Sequence, residues 1–457
     1  MKTRSRFGAV ALALFGNPCA WHGPNTVDDR IVTLHTVRDA EAKRAELIEY
    51  LWGKKGFPAQ QLPRVTLDVP NPVKELTNLA RVDALTMSLG PGLEGFSYHF
   101  VPKQPNGELV VVHQGHLCRL DDAQSKQGIG RGLERTIAAL LREGYAVLGV
   151  FMPRQGPGDC RGHHHQLFDI PTAGSPMKFF MEPTAISLNY LRSFARRDHF
   201  PEYRAFHMVS FSGGGWTTTL YAAIDPSIRC SFSVAGSIPL YLRSRLGDRE
   251  QSEVSFYELA GYPDLHVLGS FGMGREQVQI LNRRDDCCFG EPQHDSQELY
   301  SGYQESLQDY QERVRAALQE TGSGSFRLEI DETAPFHMIS RHAVEDVIVP
   351  ELRKSCSTPP MASRQESRKP FRDAARRRIR QRARRTEALG TLRSSARSSV
   401  SGRLAERRLI SSRRRYSAST RSPSRVRTAP FLRHEEVWTS GLAKLEFIVS
   451  TSSQALR

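Results

Sequence analysis

Phe206-His207-Met208-Val209-Ser210-Phe211-Ser212-Gly213-Gly214-Gly215-Trp216 is the stretch on which the reading of this chain turns. Phe206 to Phe211 is an apolar-rich run of strand length, and it passes at once into glycines. A strand that gives way to a helix within so few residues must turn sharply, and the residues flanking the turn must be small. Ser210 and Gly214 satisfy that demand around Ser212, a small-x-Ser-x-Gly pattern. Such a turn pushes the Ser212 side chain out of the sheet edge with its hydroxyl exposed. A serine among glycines after a strand also fits a flexible turn or a phosphate-cradling loop. What the rest of the chain supplies decides between them.

Working outward, strands and helices alternate. Asp39 to Trp52 has helical spacing and ends at Gly53 and Gly56. Pro58, Pro63, Pro70 and Pro72 mark an extended connection. Leu85–Leu89 and Phe96–Val101 read as a hairpin around Gly90-Pro91-Gly92, and Leu109–Val112 as a buried strand. Further strands are expected at Ala146–Met152, Ile228–Ala235, Gln277–Leu281 and Phe326–Ile330. Helices are expected at Leu133–Arg142, Pro183–Arg196 and His342–Leu352. A hairpin followed by alternating strands and helices predicts a mostly parallel central sheet with helices on both faces.

A serine hydroxyl needs a base to take its proton, and the base needs an orienting group. Both must lie just beyond strand ends, on the same sheet edge as Ser212. Asp285 lies four residues beyond the strand ending at Leu281, with Asp286 as the alternative acid; a solvated turn of charges is the plainer reading of both. His337 lies between the last strand and the last helix, where Ser340 can cap the helix. Of the 15 histidines, His337 has the order and context of a base. An oxyanion hole needs backbone N–H groups aimed at developing negative charge. Gly213 would give one, and Gln114 or Gly115, in the loop His113-Gln114-Gly115-His116 after an early strand, the other.

Taken with Gly144 to Val147 and Met152 to Gly156, these motifs resemble the α/β-hydrolase superfamily, nearest to its dienelactone-hydrolase-like and acetyl-esterase-like branches. Residues 85–352 carry the resemblance. It departs in Ser210, which replaces the first glycine of the turn, and in Gln114, which replaces a glycine of the oxyanion loop. The resemblance implies the α/β-hydrolase fold and hydrolysis of a small-molecule carboxylic ester through an acyl-enzyme, without a cofactor. Ser212 would be nucleophile, His337 base and Asp285 its orienting acid. Residues 236–276, with Tyr241, Phe256, Tyr257 and Tyr262, would form a short cap-like insertion or simply pack onto the core.

Charge divides the chain. Residues 354–457 hold 26 of its 63 Lys and Arg and 7 of its 49 Asp and Glu, a net of +19, which leaves the body at −5. The Arg/Ser-rich tail, 353–457, has too few apolar residues to offset ordering entropy and is expected to be disordered. It reads as an arm for nucleic acid or an anionic surface, as a dispensable tail, or as the product of a shifted reading frame. Residues 1–24, with Lys2, Arg4 and Arg6 before a short apolar run, fit a flexible start or a weak export signal, so the protein is expected to be either cytoplasmic or exported. Residues 25–84 form a helical extension and connection. No run of about 20 apolar residues suggests a membrane span.

The seven cysteines are irregularly spaced; no CxxC pair suggests zinc and no disulfide framework is implied, though one long-range bridge is compatible with the pattern. Asp159-Cys160-Arg161-Gly162-His163-His164-His165 offers a metal-dependent alternative. The other alternative is an inactive hydrolase-fold binding protein whose basic tail meets nucleic acid.

Overall fold

The computed structural model describes residues 27, 29–121, 131–157, 159–160, 164–243, 248–285, 287, 289 and 303–354. The N-terminal segment 1–24, Asp286, His163 and the tail from 355 onward lie outside the described residues. No helix among the described residues is long and apolar enough to cross a membrane.

The strands are β1 (Arg64–Thr66), β2 (Leu79–Gly90), β3 (Leu93–Pro102), β4 (Glu108–His113), β5 (Ala146–Val150), β6 (Gln155–Gly156), β7 (Asp159–Cys160), β8 (Ala205–Phe211), β9 (Ile228–Val234), β10 (Glu276–Asn282) and β11 (Ser325–Asp331). Nine of them form one sheet, in the order β1-β2-β3-β5-β4-β8-β9-β10-β11. The run from β5 to β11 is parallel, and β1, β2 and β3 complete it with antiparallel pairings. β4 and β8 are buried at every position, as expected for central strands covered on both faces.

The longer helices are α1 (Val37–Trp52), α2 (Leu133–Arg142), α3 (Lys178–Ser193), α4 (Gly213–Ile224), α5 (Tyr262–Ser270), α6 (Tyr303–Thr321) and α7 (Val349–Lys354). α1 starts at a capping box in which Thr36 and Asp39 satisfy each other's backbone N–H. Its Arg44 reaches Ala223 O (2.9 Å) and Leu268 O (3.2 Å), which ties α1 to α4 and α5.

Five elements differ from the sequence expectation. The hairpin strands are longer than their apolar cores, because pairing continues through Arg81–Asp83 and Glu94. The helix expected to open at Pro183 starts at Lys178, since burying Phe179, Phe180 and Met181 outweighs the one N–H that Pro183 lacks. α6 was not foreseen. Its surface is polar, but Tyr303, Leu307, Tyr310, Val314 and Leu318 form a helical stripe buried against the core. The last helix begins as a π-helical stretch, Ala343–Ile348, before the α-helical turns of α7.

A candidate active site at the sheet edge

β8 ends at Phe211, and Ser212 adopts φ 57° and ψ −130°, a positive φ for a non-glycine residue. α4 starts at the next residue. This backbone turn lifts Ser212 off the strand, at a cost on the order of 1–3 kcal/mol that surrounding contacts must hold in place. Those contacts explain the glycines. A Cβ on Gly214 would lie 2.3 Å from His113 O, and one on Gly213 would lie 2.6 Å from His116 Cε1. Ser210 is fully buried, and its Oγ accepts the His113 N–H at 3.1 Å. A side chain in place of the first glycine therefore stitches β8 to the end of β4.

His337 Nε2 is 2.8 Å from Ser212 Oγ, and His337 Nδ1 is 2.7 Å from Asp285 Oδ2. The Asp285 side chain is fully buried and that of His337 is 9 % exposed. Asp285 follows β10 by three residues, and His337 follows β11 by six. Asn282 pairs with Asp331 at the ends of those strands. Asn282 Nδ2 also donates to Met338 O (2.7 Å) and Phe336 O (3.2 Å), the carbonyls on either side of His337. Arg131 Nη1 donates to His337 O, and the Ile339 N–H donates to Arg131 O at 2.9 Å. The imidazole is flanked by Phe211 (ring centroids 4.5 Å apart) and by Phe289, near-parallel at 6.3 Å. Asp285 Oδ1 accepts the Cys287 N–H at 2.8 Å, which fixes the carboxylate from its other side.

The loop after β4 packs onto the Ser212 turn. Gly115 has φ +73°, and a Cβ there would lie 2.7 Å from Phe211 O and 3.2 Å from Gly213 N. The two candidates for the second oxyanion amide, beside Gly213, are both engaged within the structure. The Gln114 N–H donates to Val150 O at 3.1 Å, and the Gly115 N–H donates to His113 Nδ1 at 3.2 Å. Burial, reinforced by the charge of His116, pushes His113 down to about 3, so it stays neutral and accepts that bond.

His116 Nε2 faces Asp248 Oδ2 (3.3 Å) and Glu250 Oε1 (3.5 Å). Burial works against protonating this imidazole, but the two carboxylates outweigh it and hold its pKa above the ordinary histidine value. His116, Asp248 and Glu250 could together ligate a cation, whereas Cys287, close to Asp285 and His337, is held in a disulfide and has no thiolate to offer. The metal site suggested around residues 159–165 loses its thiolate, because Cys160 is in a disulfide with Cys118. That bridge fastens the loop after β4 to the β6–β7 hairpin, and irregular cysteine spacing gave no sign of which pair would form it.

In the 236–276 stretch the aromatic side chains do packing work. Trp216 Nε1 on α4 donates to Tyr257 Oη (2.7 Å), Tyr257 Oη donates to Tyr262 Oη (2.9 Å), and Phe256 is fully buried. Sequence reasoning missed Asn282, Arg131, the Asp248–Glu250 pair and Phe289. Only Asn282 carried a signal, as an amide at the end of the strand before the acid.

No protein-family model matches the chain, and no curated protein matches it in sequence. Solved structures do resemble it. A protein assigned as a dienelactone hydrolase from Klebsiella pneumoniae is 17% identical over 61% of this chain and 99% of its own, with a TM-score of 0.37. Methylesterase BT1017 is 14% identical over 70% of this chain and 65% of its own, with a TM-score of 0.44. Acetyl xylan esterase 1 from Thermoanaerobacterium sp. is 12% identical over 68% of this chain and 91% of its own, with a TM-score of 0.39. The chain's own strand order, and its strand–serine–helix turn at residue 212, make this the α/β-hydrolase fold.

Proposed function

We propose that this protein is a serine hydrolase that cleaves a carboxylic ester through an acyl-enzyme. The observation that carries the reading is the hydrogen-bonded series Asp285–His337–Ser212 at one sheet edge, with Ser212 raised on a positive-φ turn. Ser212 Oγ attacks the ester carbonyl carbon while His337 Nε2 takes its proton. The tetrahedral intermediate collapses as His337 returns that proton to the leaving alcohol. Water, activated by His337, then releases the acid and restores Ser212. Asp285 holds the imidazole in the tautomer with Nδ1 protonated and stabilises the imidazolium.

The negative oxygen of the intermediate is assigned to the Gly213 N–H, at the first turn of α4, where the helix end favours an anion. Since Gln114 and Gly115 donate elsewhere, their part is to press the loop onto this turn. The fold has no need of a metal or cofactor for this sequence of steps.

The test is labelling of purified protein with a fluorophosphonate, beside Ser212→Ala. Labelling of wild type that disappears in the variant supports an activated serine. A folded wild type that does not label overturns the reading, and an inactive binding scaffold would take its place.

A further inference from the structure

We infer that Arg243 is a substrate-recognising residue and that the ester cleaved at Ser212 carries an anionic group, a carboxylate in the simplest case. The inference rests on the serine-hydrolase reading above and names the substrate class of that same site. Arg243 belongs to the segment between β9 and β10, just past the short 3-10 turn Leu240–Leu242. Its guanidinium carbon lies 5.0 Å from the centroid of the Phe289 ring, and Phe289 in turn stacks against His337. Two stacking steps therefore separate the cation from the imidazole that serves Ser212.

Arg243 is half-buried, and its guanidinium lacks a counterion among the described residues. Nη2 donates to Gln251 Oε1 at 2.9 Å, while Nε and Nη1 are buried without a hydrogen-bond acceptor. The nearby acids face elsewhere: Asp248 and Glu250 of the same segment pair with His116, and Asp29, which precedes α1, accepts the amides of Leu240, Tyr241 and Tyr262. The other neighbours are Tyr257 and Tyr262, whose hydroxyls are used on each other, on Trp216 and on Gln251 O.

A buried guanidinium with unmet donors is costly, because arginine stays protonated and cannot escape by losing its charge. The face of Phe289 offsets part of that cost. A negatively charged group would complete it, since charge-assisted bonds to guanidinium are among the strong ones. General attraction of anions does not account for the arrangement, because the body outside the tail has a net charge of −5. The segment thus places a cation two ring contacts away from the imidazole that serves Ser212, in a body of net negative charge.

The experiment measures kcat/KM of the full chain on matched ester pairs. With the charge on the acyl side, the pair is 4-nitrophenyl hydrogen adipate against 4-nitrophenyl hexanoate. With the charge on the alcohol side, it is 4-acetoxybenzoate against methyl 4-acetoxybenzoate. Wild type is expected to favour the anionic member of at least one pair. Arg243→Gln should lower kcat/KM for that member by about 10- to 100-fold and leave the neutral partner within about twofold. Arg243→Lys, which keeps the charge, should retain part of the preference. Fluorophosphonate labelling of each protein reports separately on the serine site. Wild type that labels but shows no anionic preference, or Arg243→Gln that loses both members equally while still labelling, overturns the inference and leaves the serine reading intact. Wild type that does not label overturns both.

Discussion

The imidazole of His116 lies directly against Gly213, so close that a Cβ at 213 would sit 2.6 Å from His116 Cε1 and 2.9 Å from Met152 Cε. The loop after β4 and the turn after β8 are thereby locked face to face, with Asp248 and Glu250 holding the ring from behind. The glycine at 213 is a consequence of that approach.

Gly213→Ala should push the ring off the turn. Overpacking of this kind costs about 1–3 kcal/mol, visible as a lower melting temperature. The rate of ester cleavage and of fluorophosphonate labelling should fall by roughly 10- to 100-fold, as for other small displacements of a reacting group. Adding His116→Ala to Gly213→Ala should recover most of the lost stability; a purely additive double variant would show that the two residues do not collide.

Asp285→Asn should leave the fold intact and lower kcat by about 10⁴-fold, because an amide facing Nδ1 favours the wrong imidazole tautomer. The structural alternative, that this acid merely caps the Cys287 N–H, predicts little change in kcat, since asparagine keeps an acceptor for that bond. Steady-state rates on any active ester separate the two.

Glu182 on α3 is 4% exposed and accepts from Trp52 Nε1 at 3.1 Å. Burial raises its pKa to about 7, against the opposing pull of Lys178 and Trp52. A carboxyl raised in the folded state contributes its full stability below the unfolded value near 4.5 and loses it as pH rises to about 7. Glu182→Gln keeps an acceptor for Trp52 without that ionisation. Its unfolding free energy should match wild type at pH 4.5 and exceed it above pH 7, by at most about 3 kcal/mol. Denaturant melts at the two pH values check this, and an equal effect at both would refute it.

Acid should destabilise the protein through two buried histidines. Burial depresses His113 to about 3, with help from His116, and depresses His266 to about 4, against the bond to Gln277. A lowered folded-state value means that stability is whole above the unfolded histidine pKa of about 6.5 and is lost as pH falls toward 3–4, at about 1.4 kcal/mol per pH unit for each ring. Replacing His266 with Gln should remove one proton's worth of that slope between pH 6 and 4.5, measured by urea unfolding. An unchanged slope would exclude His266 from the acid transition.

Local patterns in the sequence were enough for the alternation of strands and helices and for the sharp turn at Ser212. With the family resemblance they also pointed to Ser212, Asp285 and His337, three residues that hydrogen bonds bring together in the fold. Each depends on neighbours within a few residues: apolar runs, glycines, and loop positions just past a strand. Asp285 and His337 could be proposed because a parallel sheet delivers successive strand ends to one edge. Tertiary structure alone decided the rest. Asn282 holds the carbonyls flanking His337 from 54 and 56 residues away. Cys118 and Cys160 meet across a separation of 42 residues. Gln114 and Gly115 turn their amides to Val150 and His113, and Arg243 comes to rest over Phe289. These are contacts between segments that a linear pattern leaves uncoupled, because the partner of a hydrogen bond or a ring is chosen by how the layers pack and not by residue type.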